Sequence, residues 1–237
     1  MNLIIKVGKK SYYSIVDFAK EIYLQHDESF ALIKSEKFLK TLYNFDQNMY
    51  NRIVELLSNP FQQDALLFKV QYILNPLMEL HYHGYAFKDF MSLGKKIISY
   101  GPATDIYLKD FLKYHLLSYY MEVTKYDQKK PVLYNKVKIL EEEFILNENR
   151  AYFKLGFLLE GSNVIIYNGK KFYDAKSLFE YLILPVNIID FAKDFIKSQY
   201  VFAWLEMLGY QKELILFENF ILSIEQKEKK NDSIRKI

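Results

Sequence analysis

Two histidines beside a glycine are the residues whose spacing most readily suggests chemistry. His81 and His83 stand two apart in "HYHGY", and residues two apart on a β-strand point to the same face of the sheet. Two imidazoles on one face could bind a metal ion with a third ligand. A later, related segment has Ile166 and Asn168 at the matching places. The pattern therefore does not require histidine there, and we predict no metal.

Lysines also follow the glycines of two predicted turns, as "GKK" at Gly8–Lys10 and at Gly169–Lys171. A Walker-type phosphate loop needs two glycines separated by four residues before its lysine, followed by serine or threonine. The flanking residues instead predict hairpin turns with exposed lysines at their tips. A solvated turn or a contact to phosphate or nucleic acid both fit this pattern. The candidate anion contacts are Lys9, Lys10, Lys170 and Lys171.

The remaining reactive side chains do not form a recognisable catalytic set. Acids are adjacent in "LEEEF" at 140–144, and adjacent carboxylates on a helix diverge. The sequence has no Gly-x-Ser-x-Gly elbow and no cysteine, which excludes a thiol nucleophile, a disulfide framework and thiolate zinc sites. We predict a protein without enzymatic activity and without a cofactor.

Composition indicates an ordinary globular chain of 237 residues, 51% apolar and 26% charged, with a net charge of +3. That charge is too small to imply a polyanionic partner. The N-terminal "MNLIIKVGKK" is too short for a signal-peptide core. Acidic residues interrupt the apolar runs before they reach the roughly 18 residues that a membrane span needs. We expect a cytoplasmic protein that does not enter a membrane.

An internal repeat organises the chain. Phe68–Ile97 aligns without a gap to Phe153–Leu182, with nine identities in thirty positions, which is the signature of repeated structural units. Lys6–Ile22 resembles both once one residue is inserted. A related pentamer follows each copy, "EKFLK" from Glu36, "KDFLK" from Lys109 and "KDFIK" from Lys193.

The repeat predicts a mainly α (α+β) fold built from three tandem modules, each a short β-hairpin followed by helices. Asn168-Gly169 suits a two-residue turn, and Ser92 and Ser177 are placed as N-caps, with Asp89 and Asp174 as alternatives. We expect the modules to begin near residues 3, 78 and 163. The predicted divisions are 1–60, 61–145 and 146–225, the last two with leading helices, and a charged flexible tail at 226–237.

Several of these segments resemble a known bacterial repeat module. "ILNP" at Ile73–Pro76, then "HYHGYAFKDFMSLGKKI", "FLKYHLLSYYM" and "AWLEMLGY" at Ala203–Tyr210 are similar to a hairpin-plus-helices unit found in or beside Hsp70-like chaperones and kinase-like regulatory proteins. The resemblance implies a binding or accessory role and carries no catalytic residues. The third copy departs from it, because Gly161 replaces the proline, and tryptophan occurs once.

The combined prediction is an adaptor or accessory protein, chaperone-associated or regulatory, that binds another protein. The alternative is a regulator that binds nucleic acid through the turn lysines and the basic tail. The 21 tyrosines and 19 phenylalanines fit either contact surfaces or a coding bias. Tyr200, Trp204 and Tyr210 are the candidate partner contacts, and the helical spacing around Trp204 equally fits a place in the core.

Overall fold

The computed structural model describes residues 4–99, 101–162, 164–167, 169–182 and 198–219. Within these ranges the chain is mainly helical and carries three antiparallel two-stranded hairpins. It divides into two compact units. Unit 1 comprises Met1–Asp89 and Asp110–Ile139, and unit 2 comprises Phe90–Lys109 and Leu140–Ile237. In the described ranges no helix is both long and apolar enough to cross a membrane.

The strands are short and the helices vary in length. The strands are β1 Ile5–Val7, β2 Lys10–Tyr12, β3 Leu80–Tyr82, β4 Tyr85–Phe87, β5 Ile165–Tyr167 and β6 Lys170–Phe172. The first helices are α1 Ile15–Lys20, α2 His26–Ile33, α3 Glu36–Phe45, α4 Gln47–Leu57, α5 Gln63–Leu74, α6 Phe90–Ile98 and α7 Ile106–Lys113. Then come α8 Leu116–Val123, α9 Tyr126–Lys129, α10 Pro131–Leu146, α11 Glu148–Glu160, α12 Ala175–Leu182, α13 Tyr200–Met207 and α14 at 211–219.

The three hairpins lie where the glycines predict them, and two turn geometries occur. In β3–β4, Tyr82 pairs with Tyr85, and the two loop residues His83 and Gly84 have φ of 47° and 79°. Positive φ at both loop positions is what a type I′ turn requires. In β1–β2 the glycine comes first in the loop, with φ of 54° at Gly8. This earlier glycine accounts for the one-residue offset of the first copy.

Two helices form the centres of the two units. Every residue of α5 from Ala65 to Leu74 is buried, and α11 is buried over most of its length from Ala151 to Leu159. A helix that is apolar on all sides belongs in a core. In unit 1, α5 packs against α1 and α8, and in unit 2, α11 packs against α6 and α13.

Local capping differs from the sequence prediction at the third hairpin. The Asp174 carboxylate accepts a hydrogen bond of 2.8 Å from the backbone N–H of Ser177, and the Ser177 hydroxyl donates back to the Asp174 carbonyl. Asp174 is therefore the N-cap of α12, and Ser177 lies in its first turn. The acidic alternative is correct here because the helix begins one residue after Asp174.

The related pentamers do not occupy one structural position. "EKFLK" begins α3 at Glu36, whereas "KDFLK" ends α7 at Lys113. The third pentamer, 193–197, and the tail predicted at 226–237 lie outside the described residues. Two residues after the second and third pentamers, His115 and Gln199 each have a left-handed backbone immediately before a buried helix. The short connection into α8 is thus repeated before α13.

Candidate functional site

The predicted aromatic contacts lie mostly in the interior of unit 2. Tyr200 and Trp204 on α13 have no exposed surface. The Tyr200 ring packs 4.8 Å from that of Phe153, and burial raises the pKa of its hydroxyl to about 12. Tyr210 is partly buried and lines a shallow groove beside α12. In this fold Tyr200 and Trp204 belong to the core, the alternative that helical spacing had indicated.

The four turn lysines are exposed and have different surroundings. In unit 1, Lys10 forms an ion pair with Glu21, and Lys9 stands at the turn. In unit 2, the Lys170 ammonium lies 4.4 Å from the centre of the Tyr181 ring. Lys171 lines a groove of about 400 Å³.

The groove at Lys171 also carries a second lysine, Lys95, together with the Glu160 carboxylate. A carboxylate beside two ammonium groups offsets part of their attraction for an anion. The Glu160 carboxylate itself accepts a hydrogen bond from the backbone N–H of Ser162. An anion at either turn would therefore meet mixed charge, because Glu21 pairs with Lys10 and Glu160 lies beside Lys171.

The two histidines singled out from the sequence have separate partners. His81 lies in β3, with Nε2 4.0 Å from the Glu79 carboxylate. His83 lies in the turn, where its positive φ removes it from the strand periodicity, and its Nε2 is 3.2 Å from Asp64 Oδ2. Among the residues that the structure describes, no three histidine, aspartate or glutamate side chains are grouped as metal ligands would be.

Asp64 links this turn to a second helix. It stands in the first turn of α5, and its other oxygen, Oδ1, is 2.5 Å from Nε2 of His26, the first residue of α2. Nδ1 of His26 is 3.0 Å from Asp27 Oδ1 and 3.2 Å from the Gln63 amide nitrogen. One carboxylate thus lies beside the imidazoles of both His26 and His83, and it has hydrogen-bond geometry towards His26 Nε2 but not towards His83 Nε2. We call His26, Asp64 and His83 the clasp.

Both nitrogens of the His26 ring have polar partners. Both ring nitrogens of His26 face carboxylates, so each can donate a hydrogen bond when the imidazole is charged. In this arrangement both nitrogens are engaged within the protein. The described surroundings include no thiol, because the chain has no cysteine. The arrangement favours a structural and proton-sensitive role.

Aromatic rings and a second carboxylate lie behind the clasp. The Tyr23 ring packs 5.6 Å from that of His83 and 6.2 Å from that of His26. The Tyr82 hydroxyl donates a hydrogen bond of 2.7 Å to Asp110 Oδ2. Burial raises the pKa of the Asp110 carboxyl, which the Tyr82 hydrogen bond partly offsets. The site thus combines imidazole and carboxyl side chains with the rings of Tyr23 and Tyr82, which pack beside them.

Exposed apolar side chains lie elsewhere in unit 1, on the pair of helices α3 and α4. Tyr43 and Phe45 on α3 are each 48% exposed, and Val54 on α4 is 37% exposed. The Tyr50 ring contacts the Tyr43 ring edge-on at 5.2 Å and also packs against the core of the unit. Tyr50 and Val54 are four residues apart and so share one helix face. We call Tyr43, Phe45, Tyr50 and Val54 the α3–α4 patch.

The corner between α3 and α4 holds the patch in place. Asp46 ends α3 and begins α4, and its carboxylate accepts a hydrogen bond of 2.9 Å from the N–H of Met49. A one-residue link with a side-chain cap leaves little freedom between the two helices. Rigid aromatic side chains lose little conformational entropy when they bind a partner.

Sequence reasoning found the turn around His83 but missed its partners. Asp64 and His26 are 19 and 57 residues away along the chain, and nothing in either local segment pairs them with the hairpin. The sequence indicates the α3–α4 patch only weakly: Tyr43 and Tyr50 lie on either side of Asp46, and aspartate is typical of helix N-caps. That signal indicates a helical corner but not the exposure of its rings.

Comparison with known proteins gives no relative from which a role could be transferred. No protein-family model, curated protein or solved structure matches this chain. The site geometry and the sequence therefore carry the functional argument.

Proposed function

We propose that this chain is a non-enzymatic adaptor or accessory protein that binds another protein through the α3–α4 patch. The observation that carries the proposal is the exposure of Tyr43 and Phe45 on a capped helical corner. Tyrosine and other aromatic residues are enriched at the centres of protein interfaces. Tyr50 connects the exposed Tyr43 ring to the core, so a partner would meet a surface that is already ordered.

Three tandem modules form the scaffold in this proposal. Supporting features are the antiparallel pairing of each hairpin and the packing of α1 on α5 and of α6 on α11. In both pairs, the helix after one hairpin contacts the buried helix that leads to the next hairpin. Repeat proteins build extended surfaces from such neighbour contacts. The likeness to bacterial modules found with chaperone-like and regulatory proteins suggests where such a partner would be sought.

Cytoplasmic action is part of the proposal, because the sequence has no cysteine with which to form stabilising disulfides, as many secreted domains do. The competing candidate is a regulator that binds nucleic acid. The feature in its favour is the exposure of Lys9, Lys10, Lys170 and Lys171 at turns. The ion pair of Lys10 with Glu21 and the Glu160 carboxylate near Lys171 weaken that alternative.

Affinity purification from the native host, with nuclease and salt controls, separates the two candidates. The adaptor proposal predicts recovery of a stoichiometric protein partner that survives nuclease. A nucleic-acid binder would recover only DNA or RNA, and this recovery would fall steeply between roughly 50 and 200 mM salt. That second outcome would reject the adaptor proposal.

A further inference from the structure

A groove in unit 2 lies beside α12 and the start of α14. It has a volume of about 410 Å³, and its lining includes Phe179 from α12 together with Tyr210 and Glu213. Tyr210 is the predicted partner contact that keeps exposed surface, whereas Tyr200 and Trp204 have none. The adaptor proposal makes no use of this groove or of Tyr210.

Aromatic packing and a tight turn hold the sides of the groove in place. The Phe179 ring on α12 lies 5.4 Å from the ring of Phe217 on α14. Between α13 and α14, Gly209 has a φ of 77°, and the N–H of Tyr210 donates a hydrogen bond of 2.9 Å to the Leu205 carbonyl. A left-handed residue followed by such a bond is a common way for a helix to end. The backbone of Tyr210 is therefore fixed by the helix before it.

Glu213 supplies a carboxylate that has no partner among the residues that the structure describes. It stands in the first turn of α14, three residues after Tyr210. A glutamate at this position often accepts a hydrogen bond from the N–H of the residue that precedes the helix. Here the N–H of Tyr210 is already donated to Leu205. The Glu213 carboxylate is therefore available to a ligand in the groove.

The charges of the groove favour a cationic ligand. Among the described lining residues, the carboxylates of Asp174, Glu180 and Glu213 accompany the single ammonium of Lys176. Glu180 lies 3.8 Å from Lys176, so these two charges largely balance each other. Asp174 is occupied as the N-cap of α12. Glu213 is thus the carboxylate that most needs an opposite charge, and a cation in the groove would supply it.

We propose that this groove binds an arginine side chain from a basic segment of a partner protein. A planar guanidinium can bond a carboxylate through two parallel N–H groups and can also lie against an aromatic ring. Glu213 accepts the hydrogen bonds, and the rings of Tyr210 and Phe179 pack against the guanidinium. The groove shares no residue with the α3–α4 patch. The inference therefore goes beyond the proposed function, and either one can fail without the other.

Nuclear magnetic resonance of the full chain, titrated with a capped Gly-Arg-Gly peptide, tests the site. We expect saturable shifts of the backbone amides at 174–180 and 210–213 at millimolar peptide. The same peptide with citrulline has the shape of arginine without its charge, and it should bind several-fold more weakly because charge-assisted hydrogen bonds are the stronger ones. A Gly-Lys-Gly peptide should also bind more weakly, because an ammonium cannot make the two parallel bonds.

Matched variants connect the binding to the named side chains. Glu213→Gln keeps the shape of the side chain and removes its charge, so the affinity for the arginine peptide should fall about 3- to 10-fold. Tyr210→Leu should also weaken binding, whereas Tyr210→Phe keeps the ring and should retain most of it. Glu142→Gln removes an exposed carboxylate of α10 in the same unit, outside the groove, and should bind as the wild type does.

Three results would overturn the proposal. The first is the absence of saturable shifts at the groove, or equal binding of the arginine peptide and either control peptide. The second is an affinity that Glu213→Gln leaves unchanged. The third is tighter peptide binding by Arg235→Gln than by the wild type, since the chain's own basic tail would then be the occupant instead of a partner.

Discussion

Gly94 on α6 and Gly156 on α11 meet where these two helices cross. A Cβ atom placed on Gly94 would lie 2.8 Å from the carbonyl oxygen of Gly156 and 2.3 Å from the backbone nitrogen of Glu160. Real Cβ atoms do not approach backbone atoms so closely, and the obstacle is main chain that cannot rotate away. The absence of a side chain at Gly94 is therefore what allows α6 to pack on the buried helix of unit 2.

Gly94→Ala should accordingly destabilise unit 2 by about 1–3 kcal/mol or more, the usual cost of overpacking a well-packed contact. Alanine has the higher helix propensity, so any loss reflects the crossing and not the helix itself. Urea unfolding followed by the fluorescence of Trp204, the single tryptophan and a buried residue of unit 2, measures it. Lys95→Ala, at the exposed neighbouring position, is the control and should change little. Equal stabilities of Gly94→Ala and wild type would mean that the helices are not this close.

Lys154 offers a second test in unit 2, because its nearly buried ammonium is held by two glutamates. Nζ lies 2.5 Å from the Glu143 carboxylate and 3.3 Å from that of Glu206. Lys154→Met should lower the free energy of unfolding by about 1–3 kcal/mol, since two partly buried carboxylates lose their counter-charge. The loss of stability in Lys154→Met would be larger if both glutamates were fully buried, but each of them is partly exposed to solvent.

Lys176→Met is the matched control for Lys154→Met. Lys176 and Glu180 form an exposed pair on α12 at 3.8 Å, and such pairs contribute about 0.3–0.5 kcal/mol. The same chemical change should therefore have a much smaller effect there. If both variants lost equal stability, the burial of Lys154 would not be what makes its ion pairs important.

The hydrogen bond from Tyr82 to Asp110 predicts a pH-dependent effect in unit 1. Tyr82→Phe should cost about 1–2 kcal/mol at pH 7, because a partly buried carboxylate loses its donor. The raised pKa of Asp110 should rise further in the variant, so the loss should shrink as the pH falls and the carboxyl becomes protonated. Thermal or urea unfolding by circular dichroism at pH 7 and pH 4 measures the difference.

Tyr13→Phe serves as the control for Tyr82→Phe, because Tyr13 is an exposed tyrosine of the same unit. It should leave stability unchanged at both pH values. A loss in Tyr82→Phe that stays constant between pH 7 and pH 4 would show that Asp110 does not depend on this hydroxyl for its ionised form.

Features determined by neighbouring residues could be predicted from the sequence, whereas those determined by residues far apart in the chain could not. Glycine turns flanked by β-branched and aromatic residues predict all three hairpins, since that geometry is determined by a few neighbouring residues. The predicted leading helices of the second and third modules are present as α5 and α11, which end before Asn75 and Gly161. The tandem three-module organisation stays a prediction, because the hairpins alone do not establish it.

The contacts of the clasp could not be predicted, for a physical reason. His26 and Asp64 come together only where α2 packs against α5, and that packing depends on the whole core of unit 1. The alternation of residues also misleads at His83, because the turn takes its side chain out of the β-strand pattern. Exposure is equally hidden: Trp204 and Tyr43 are both aromatic residues in helices, yet one is buried and the other is half exposed.

The central claim is that the α3–α4 patch binds a protein, and the most direct measurement is partner recovery by patch variants. Tyr43→Ser, Tyr13→Ser and wild-type chains would be purified in parallel from the native host after nuclease treatment, with the folding of each verified by circular dichroism. We predict that Tyr43→Ser recovers at least about tenfold less partner than the wild-type chain does, as expected for a tyrosine at the centre of an interface. Tyr13→Ser, which removes an exposed tyrosine outside the patch, should keep it. Equal recovery by Tyr43→Ser and wild type would contradict the claim.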